Sequence, residues 1–353
     1  MTESQPPIRS ERRGHIGRIT LDRPRQLNAI DIGMARAIMS LLETWRDDDD
    51  VRRIVIDSAS ERAFCAGGDI KRLYGLIGTD GAEVAYRNMV VPYEAMLAIA
   101  HYPKPVVTLM DGIAMGGGIG VGAHARHRVV TERSVLAMPE TIIGLTPDAG
   151  GSWLLARAPS ASEGLRHALT GQRMSGAQAM AMGFADHLVS SERLGAVREA
   201  LAACEDGEEE AVLRGLAEMV SEDVGALFPA GSAALYDIAI ADPHEGLPEL
   251  LKRLEAVAGR PGYEWAEADL EILRQVCPFS LCVTWRVQQE QRLSSRSLDE
   301  AFALEMRAVR CLVARPDFAE GVRARVVDKD NAPRWSPSVV AEVDPALVER
   351  CLA

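Results

Sequence analysis

Two carboxylates stand in the segment Met138-Pro139-Glu140-Thr141-Ile142-Ile143-Gly144-Leu145-Thr146-Pro147-Asp148-Ala149-Gly150-Gly151, among apolar and turn-forming residues. A carboxylate in such a setting costs desolvation energy unless it has partners or a task. Cations are scarce around Glu140, so a plain ion pair accounts for it poorly. Asp148, in a Pro-Asp-x-Gly-Gly turn, has a second reading as the N-cap of a helix beginning near Gly150. Given a task, the pair suits a base or nucleophile and its helper. Two glycine-bearing segments offer the complementary half of acyl chemistry. Ala63-Phe64-Cys65-Ala66-Gly67-Gly68-Asp69-Ile70 is a loop ending at a helix start, and Gly116-Gly117-Gly118 follows a strand and opens a helix. Each leaves backbone N–H groups unpaired at a helix N-terminus, where negative charge is favoured. Glycine also lets the backbone approach a ligand closely. Two such N–H groups converging on one carbonyl oxygen would form an oxyanion hole. Taken singly, either run could be a tight turn and nothing more.

The elements that must position these residues follow from hydrophobic periodicity. After a polar leader, Gly17 to Leu21 predicts a strand. Asp31 caps a helix running to about Trp45, and Asp47–Asp50 reads as a solvated turn. Val51 to Asp57 predicts a second strand, followed by a loop over 58–68, a helix from Asp69 and a long helix over Ala82–Ala100. Pro105 to Met110 is a third strand, with short strands at Arg128–Thr131 and Val135–Met138. Beyond Gly150 the strand signal fades, and 150–172, 175–183, 190–220 and 245–315 read as helices. The chain therefore reads as α/β over residues 14–190 and helical over 191–353. No Gly/Ser-rich linker separates the two, so the helices are expected to pack on the first part. A strand–strand–helix rhythm suits either a spiral of ββα units or an open parallel sheet.

In order along the chain, Asp22-Arg23-Pro24 with Leu27-Asn28-Ala29, AFCAGGDI, DGIAMGGG and MPE with PDAGG make a set that resembles the crotonase (enoyl-CoA hydratase/isomerase) superfamily. The resemblance implies a crotonase-type spiral of ββα repeats with a helical C-terminal region. It implies that Gly68 and Gly117 supply the oxyanion-hole N–H groups for a thioester carbonyl. Arg25 to Asn28 (with Leu27) and Ala66 to Ile70 (with Gly67 and Asp69), together with Lys71, would line the path of coenzyme A. Hydratases of this kind carry one glutamate three positions after the oxyanion glycine and a second in the Pro-Glu motif. This chain keeps the second, Glu140, but has Gly120 at the first position and gains Asp148 where hydratases have glycine. That pattern is similar to the 3-hydroxyisobutyryl-CoA hydrolases. The tail from about 277 to 340 agrees, with Asp317-Phe318-Ala319-Glu320-Gly321-Val322-Arg323-Ala324, Asp328-Lys329-Asp330, Pro333, Trp335 and Pro337. The implied reaction is hydrolysis of 3-hydroxyisobutyryl-CoA, a step of valine catabolism, with Glu140 and Asp148 catalytic. In those hydrolases an acid just ahead of a tyrosine lies near the acyl group. Here the tyrosine matches Tyr93, but Pro92 replaces the acid.

Net charge is −12 and no Lys/Arg-rich run is present, so neither nucleic acid nor an anionic membrane is the expected partner. A polyanionic CoA ligand then needs a local basic patch, for which Arg23, Arg25, Lys71 and Arg72 are candidates. The six cysteines form no C-x-x-C pair and no zinc spacing, and read as reduced thiols of a cytoplasmic protein. No secretory signal or apolar run of ~20 residues is evident. No metal and no cofactor beyond the CoA of the substrate is expected, and association into a homo-oligomer is open. Gly118-Ile119-Gly120-Val121-Gly122-Ala123 fits a dinucleotide fingerprint, but Glu132 comes too soon after it. His124 and His127 have the spacing of a metal pair without a third ligand. No G-x-S-x-G elbow exists. A hydratase or a non-catalytic scaffold on the same fold are the remaining alternatives.

Overall fold

The strands expected from pattern are present, within a residue or two of their limits, in the computed structural model of the chain, which describes residues 7–219, 227–238, 242–293 and 296–353. They are β2 (Ile16–Leu21), β3 (Arg53–Ser58), β5 (Val106–Met110), β7 (His127–Val130) and β8 (Val135–Ala137). Five more carry little sequence signal: β1 (Ile8–Arg13), β4 (Ala63–Cys65), β6 (Ile113–Met115), β9 (Met174–Ser175) and β10 (His187–Leu188). A six-stranded sheet has the order β1-β2-β3-β5-β7-β10, and a four-stranded sheet the order β4-β6-β8-β9. From β2 to β10 the larger sheet is parallel throughout, so a crossover must join each pair of its strands. The first, from β2 to β3, is the helix Ile32–Arg46, and the later ones pass through the smaller sheet. β3, β5 and β7 are each followed by a short strand there, and the open single sheet is thereby excluded in favour of ββα repeats.

The N-terminal leader departs from expectation. Ile8–Arg13 pairs antiparallel with β2 along its whole length, and only Ile8 is buried. Its charged, exposed residues leave no apolar alternation to read, and they suit an edge strand that must not recruit another chain. Residues 1–6 of that leader lie outside the described residues.

The chain divides into two compact units. The first takes in Met1–Asp69, Asn88–Leu136 and Met174–Glu222. Ile16, Val55, Val107, Leu109 and Val129 form its core with Leu194, Val197 and Leu201 of the helix Leu194–Ala203 and Leu213 of the helix Glu209–Leu216. Arg53 is fully buried within β3, yet its guanidinium is satisfied by Glu209 and by the carbonyls of Leu201 and Cys204, as a buried charge requires. The second unit takes in Ile70–Arg87, Ala137–Arg173 and Asp223–Ala353. This partition interleaves the stretches 14–190 and 191–353 instead of separating them. Pro278–Leu293 runs through the core of the second unit, with Phe279, Leu281, Val283, Trp285 and Val287 all buried. The expected run 245–315 is broken between Val257 and Glu264, where Gly259, Pro261 and Gly262 stand, and again before Pro278 and Leu298.

The expectation of six free thiols fails at Cys311 and Cys351, which form a disulfide with Cα atoms 5.3 Å apart. A separation of 40 residues gives no spacing signature from which to foresee it. Among the described residues no helix is long and apolar enough to cross a membrane.

Candidate active site

In the first unit, two loops are fastened together by one buried side chain. Asn28, held in the left-handed region at φ 55°, is buried. Its Oδ1 accepts from the Arg23 amide at 2.7 Å, and its Nδ2 donates to the carbonyls of Ala63 and Phe64 and to Ser58 Oγ. The Asn28 amide is thus committed to binding the Asp22-Arg23-Pro24 loop to the Ala63–Gly68 loop. Arg23 adds ion pairs to Asp31 and Asp69, both at 3.1 Å, which removes it from the expected basic patch. Its charge is spent on holding the loop.

Gly68 makes a parallel bridge with Ile30. That bridge uses the Gly67 carbonyl, which accepts from Ile30 N, and the Asp69 amide, which donates to the Ile30 carbonyl. The Gly68 N–H must therefore point to the other side of its strand, where Gly117 lies. A Cβ placed on Gly117 would sit 3.3 Å from Gly68 N, and one on Gly67 would sit 3.9 Å from Gly117 N. Gly117 opens the helix Gly117–Gly122, so its amide has no carbonyl one turn back within that helix. The approach depends on the next residue, because a Cβ on Gly118 would lie 2.0 Å from the Cys65 carbonyl oxygen. The two predicted oxyanion residues are brought together.

The residues expected along a CoA path are placed as follows. Arg25 is exposed on the turn Pro24–Gln26, Leu27, Ala66 and Asp69 are half-buried, and Gly67 is buried. Ile70 and the exposed Lys71 begin the helix Ile70–Asp80 of the second unit. Tyr93 and Pro92 are buried inside the helix Ala82–Ala100, whereas Glu94 is exposed. The carboxylate next to Tyr93 therefore points to solvent, as a rotation of about 100° per residue dictates.

In the second unit, Glu140 begins a 3-10 turn, Glu140–Ile143, closed by Gly144 in the left-handed region. Leu145 N donates back to the Glu140 carbonyl at 2.9 Å, Thr141 Oγ1 to the Leu169 carbonyl, and Ser280 Oγ to the Leu145 carbonyl. The C-terminal tail presses on this turn directly. A Cβ on Gly321 would lie 2.6 Å from the Ile143 carbonyl carbon, and one on Gly144 would lie 3.0 Å from the Asp317 carbonyl oxygen. The charges that mark the tail bind one another. Arg323 pairs with Glu320, Asp328 and Asp330, while Asp317 accepts from the amide of Ser336 and from Arg315.

Glu140 is 6% exposed, and its Oε2 has no hydrogen-bond partner among the described residues. An orphaned buried oxygen costs about 1–3 kcal/mol, which a group reserved for chemistry can carry. Burial first, and then the neighbouring Asp148 and Glu305, push its carboxyl well above the usual range. Asp148 is also buried. It is not the N-cap of the following helix: that position of Gly151–Ala156 is Gly150, which has no side chain to cap with. That role falls to Glu305, which accepts from Gly150 N at 2.7 Å, Ser152 N at 3.1 Å and Ser152 Oγ at 2.5 Å. Burial raises the Glu305 carboxyl to about 8, Asp148 adding to it and the Ser152 and Gly150 donors opposing it. Glu305 was not foreseen. Its one sequence signal is an acid interrupting the apolar stripe Ala301, Leu304, Ala308, Leu312 of the helix Leu298–Val313.

His127 gathers with His187 and Glu210 in the first unit, not with His124. One Glu210 oxygen lies 3.4 and 3.1 Å from the two rings, but the carboxylate is half-exposed and also bonded to Arg214. These contacts read as hydrogen bonding between the rings and one carboxylate, with burial lowering the His127 imidazole from its ordinary range. Glu132, the acid considered for a dinucleotide ribose, is occupied by the amide and hydroxyl of Ser191.

Against this geometry stand the comparisons. Residues 16–352 match the family model described as enoyl-CoA hydratase/isomerase. The chain is 37% identical over 343 residues to a mouse protein named 3-hydroxyisobutyryl-CoA hydrolase, mitochondrial, covering 94% of this chain and 85% of the other. A solved structure titled carnitinyl-CoA dehydratase, from Mycobacterium thermoresistibile, is 35% identical with a TM-score of 0.87, covering 98% of this chain and 96% of that one. A second, titled enoyl-CoA hydratase, from Rhodobacter sphaeroides, is 36% identical with a TM-score of 0.82, covering 98% and 97%. The names divide between hydrolysis and addition or removal of water, so the choice rests on the residues.

Proposed function

The chain belongs to the enoyl-CoA hydratase/isomerase family, and we propose from that premise that it is an acyl-CoA thioester hydrolase acting on a short branched or hydroxylated acyl group, in the first place 3-hydroxyisobutyryl-CoA. The observation that carries this reading is the carboxyl cluster. Glu140 is buried with an orphaned oxygen and raised by Asp148 and Glu305, while the position of the hydratases' other glutamate is Gly120. Adding water across a double bond calls for two carboxylates about one water molecule. Opening a thioester calls for a nucleophile or base on the carbonyl carbon and a proton for the leaving thiolate.

In the proposed reaction the thioester oxygen accepts from the Gly68 and Gly117 amides. Glu140 attacks the carbonyl carbon, the C–S bond breaks with a proton delivered to sulfur, and water cleaves the resulting anhydride. Alternatively, Glu140 takes a proton from water that attacks in its place. Asp148 orients Glu140 or the substrate hydroxyl and assists the proton transfer. No cofactor is required beyond the CoA of the substrate. A cytoplasmic setting belongs to the same proposal: the four buried free thiols, Cys65, Cys204, Cys277 and Cys282, support it, and the Cys311–Cys351 disulfide speaks against it.

Pro92 shapes the expected selectivity. A hydroxylated acyl group that met an acid at this position would gain a buried hydrogen bond, worth ~1–3 kcal/mol or roughly 5- to 150-fold. With Pro92 buried and Glu94 exposed, that contribution is missing. Thiol release from a panel of acyl-CoAs tests the reading. Release is expected from both 3-hydroxyisobutyryl-CoA and isobutyryl-CoA, with a ratio of kcat/KM well below about a thousandfold, or ~4 kcal/mol. Rapid hydration of crotonyl-CoA without thiol release would replace hydrolase by hydratase.

A further inference from the structure

Asp148 and Gly150 flank Ala149, and the backbone between them is unusual. Ala149 has φ +54° and Gly150 φ +75°, so two consecutive residues sit in the left-handed region, one of them with a side chain. Such a turn persists only where its surroundings impose it. Within the turn, Gly151 N donates to the Asp148 carbonyl at 2.7 Å. A second hold comes from 155 residues away in sequence, where the Glu305 carboxyl takes Gly150 N with one oxygen and both Ser152 donors with the other. Gln291 Nε2 bonds Ser152 Oγ at 3.0 Å, and Gln288 Nε2 bonds the Ser152 carbonyl at 3.2 Å.

A cap alone could be supplied locally by serine, asparagine or aspartate. A fully buried glutamate is a costly substitute, and here its donors are all neutral. Among the described residues, no arginine or lysine is bonded to Glu305 or Glu140. The charged groups acting on Glu305 are Asp148 and, beyond it, Glu140. Four helices pack on its own helix: Gly151–Ala156 and Pro278–Leu293 contribute Ser152, Gln288 and Gln291 there, while the acids of the other two are paired, Asp317 with Arg315 and Glu320 with Arg323 on Pro316–Val322, and Glu349 with Arg286 on Pro345–Leu352. Glu140 and Glu305 are both buried, each is raised by Asp148, and Glu305 raises Glu140 in turn, so the two carboxyls titrate together and not independently.

Resting on the hydrolase reading above, we propose that Glu305 is a positioning residue for this reaction: it holds the turn that presents Asp148, and as the third carboxyl of the cluster it sets the pH at which Glu140 becomes competent to attack. It touches no substrate. Its effect reaches the chemistry through the Gly150 and Ser152 amides and through its charge on Asp148 and Glu140.

Two variants separate these effects. Glu305→Gln keeps the size but removes the charge and puts an NH2 group against one of two N–H donors. Its kcat for thiol release should fall about tenfold with KM nearly unchanged. The rising limb of its kcat–pH profile should move to lower pH by about one unit, because Glu140 loses a like-charged neighbour. Glu305→Asp keeps the charge but is too short to reach both amides, so kcat should fall while the limb stays near that of the parent. A readout independent of activity accompanies them. A carboxyl held near 8 when folded and near 4.3 when unfolded makes the unfolding midpoint fall as pH rises from 6 to 9, and Glu305→Gln should flatten that fall. An unmoved limb and an unchanged midpoint profile in Glu305→Gln would overturn the proposal. Absence of thiol release by the parent would overturn the hydrolase reading instead, and the midpoint profiles would still decide whether Glu305 titrates with the cluster.

Discussion

Glu140 is where the chemistry of this chain is most exposed to test. Replacing it by glutamine keeps its volume within a turn already fixed by backbone bonds and by the tail, so the fold and CoA binding should survive. Thiol release should fall by at least a hundredfold, the range that loss of a general base or nucleophile produces. A variant retaining more than a tenth of the parental rate would show that another group attacks. The raised carboxyl also fixes the sign of the pH response. An unperturbed glutamate would be ionised by pH 5.5, and the rate would be flat above it. With Glu140 pushed well above that range by burial and by Asp148 and Glu305, the ionised, competent form is still being gained above the pH at which an ordinary glutamate has finished titrating. The parental rate should therefore climb above that pH, and a flat profile from pH 5.5 to 8 would contradict the raised carboxyl.

Among the elements, the helix Pro316–Val322 matters most to the site despite contributing no reacting group. Gly321 passes so close to Ile143 that an added Cβ would meet its carbonyl carbon at 2.6 Å. Gly321→Ala must push the Glu140–Ile143 turn or the helix aside. A cost of about 1–3 kcal/mol is typical of such overpacking, and kcat should fall with little change in KM for the CoA portion. Unchanged kcat in a stably folded Gly321→Ala would show that the turn does not depend on the tail. In the sequence Glu140 and Asp148 stand out because a carboxylate among apolar residues calls for a physical reason, whereas Gly68 and Gly117 are picked out of their glycine runs only by the resemblance to the crotonase superfamily. β2, β3 and β5 are legible for the opposite reason, being long enough to show a β-branched, apolar run. β4, β6, β9 and β10, of two or three residues, are too short to show any period. Glu305 and Gly321 escape notice because each works on a partner more than 150 residues away. One stray acid in a helical stripe, or one glycine before a valine, gives no local reason to look there.

For the whole molecule, the second unit ends on a helix that is held in three ways. Pro345–Leu352 buries Val348, Arg286 pairs with Glu349 at 2.8 Å and Arg307 donates to the Leu352 carbonyl at 2.9 Å, and Cys351 is bonded to Cys311. The Arg286–Glu349 pair is modest, since an ion pair with a partner this exposed contributes about 0–1 kcal/mol. The disulfide closes a loop of 40 residues, and loop-closure entropy alone assigns it about 3–4 kcal/mol. Cys311 stands on the same helix as Glu305, but the carboxyl is fixed by Ser152 and Gly150, so the bond should govern stability and not turnover. In buffered reductant the unfolding midpoint of the parent should drop by about 5 °C, while kcat at 25 °C stays within twofold. Cys351→Ser should show the lowered midpoint without reductant and no further change with it. If reductant leaves the parental midpoint where it was and Cys351→Ser matches the parent, the terminal helix is held by packing alone. If kcat falls together with the midpoint, the Cys311–Cys351 bond also controls the position of Glu305, and redox state would then act on the rate.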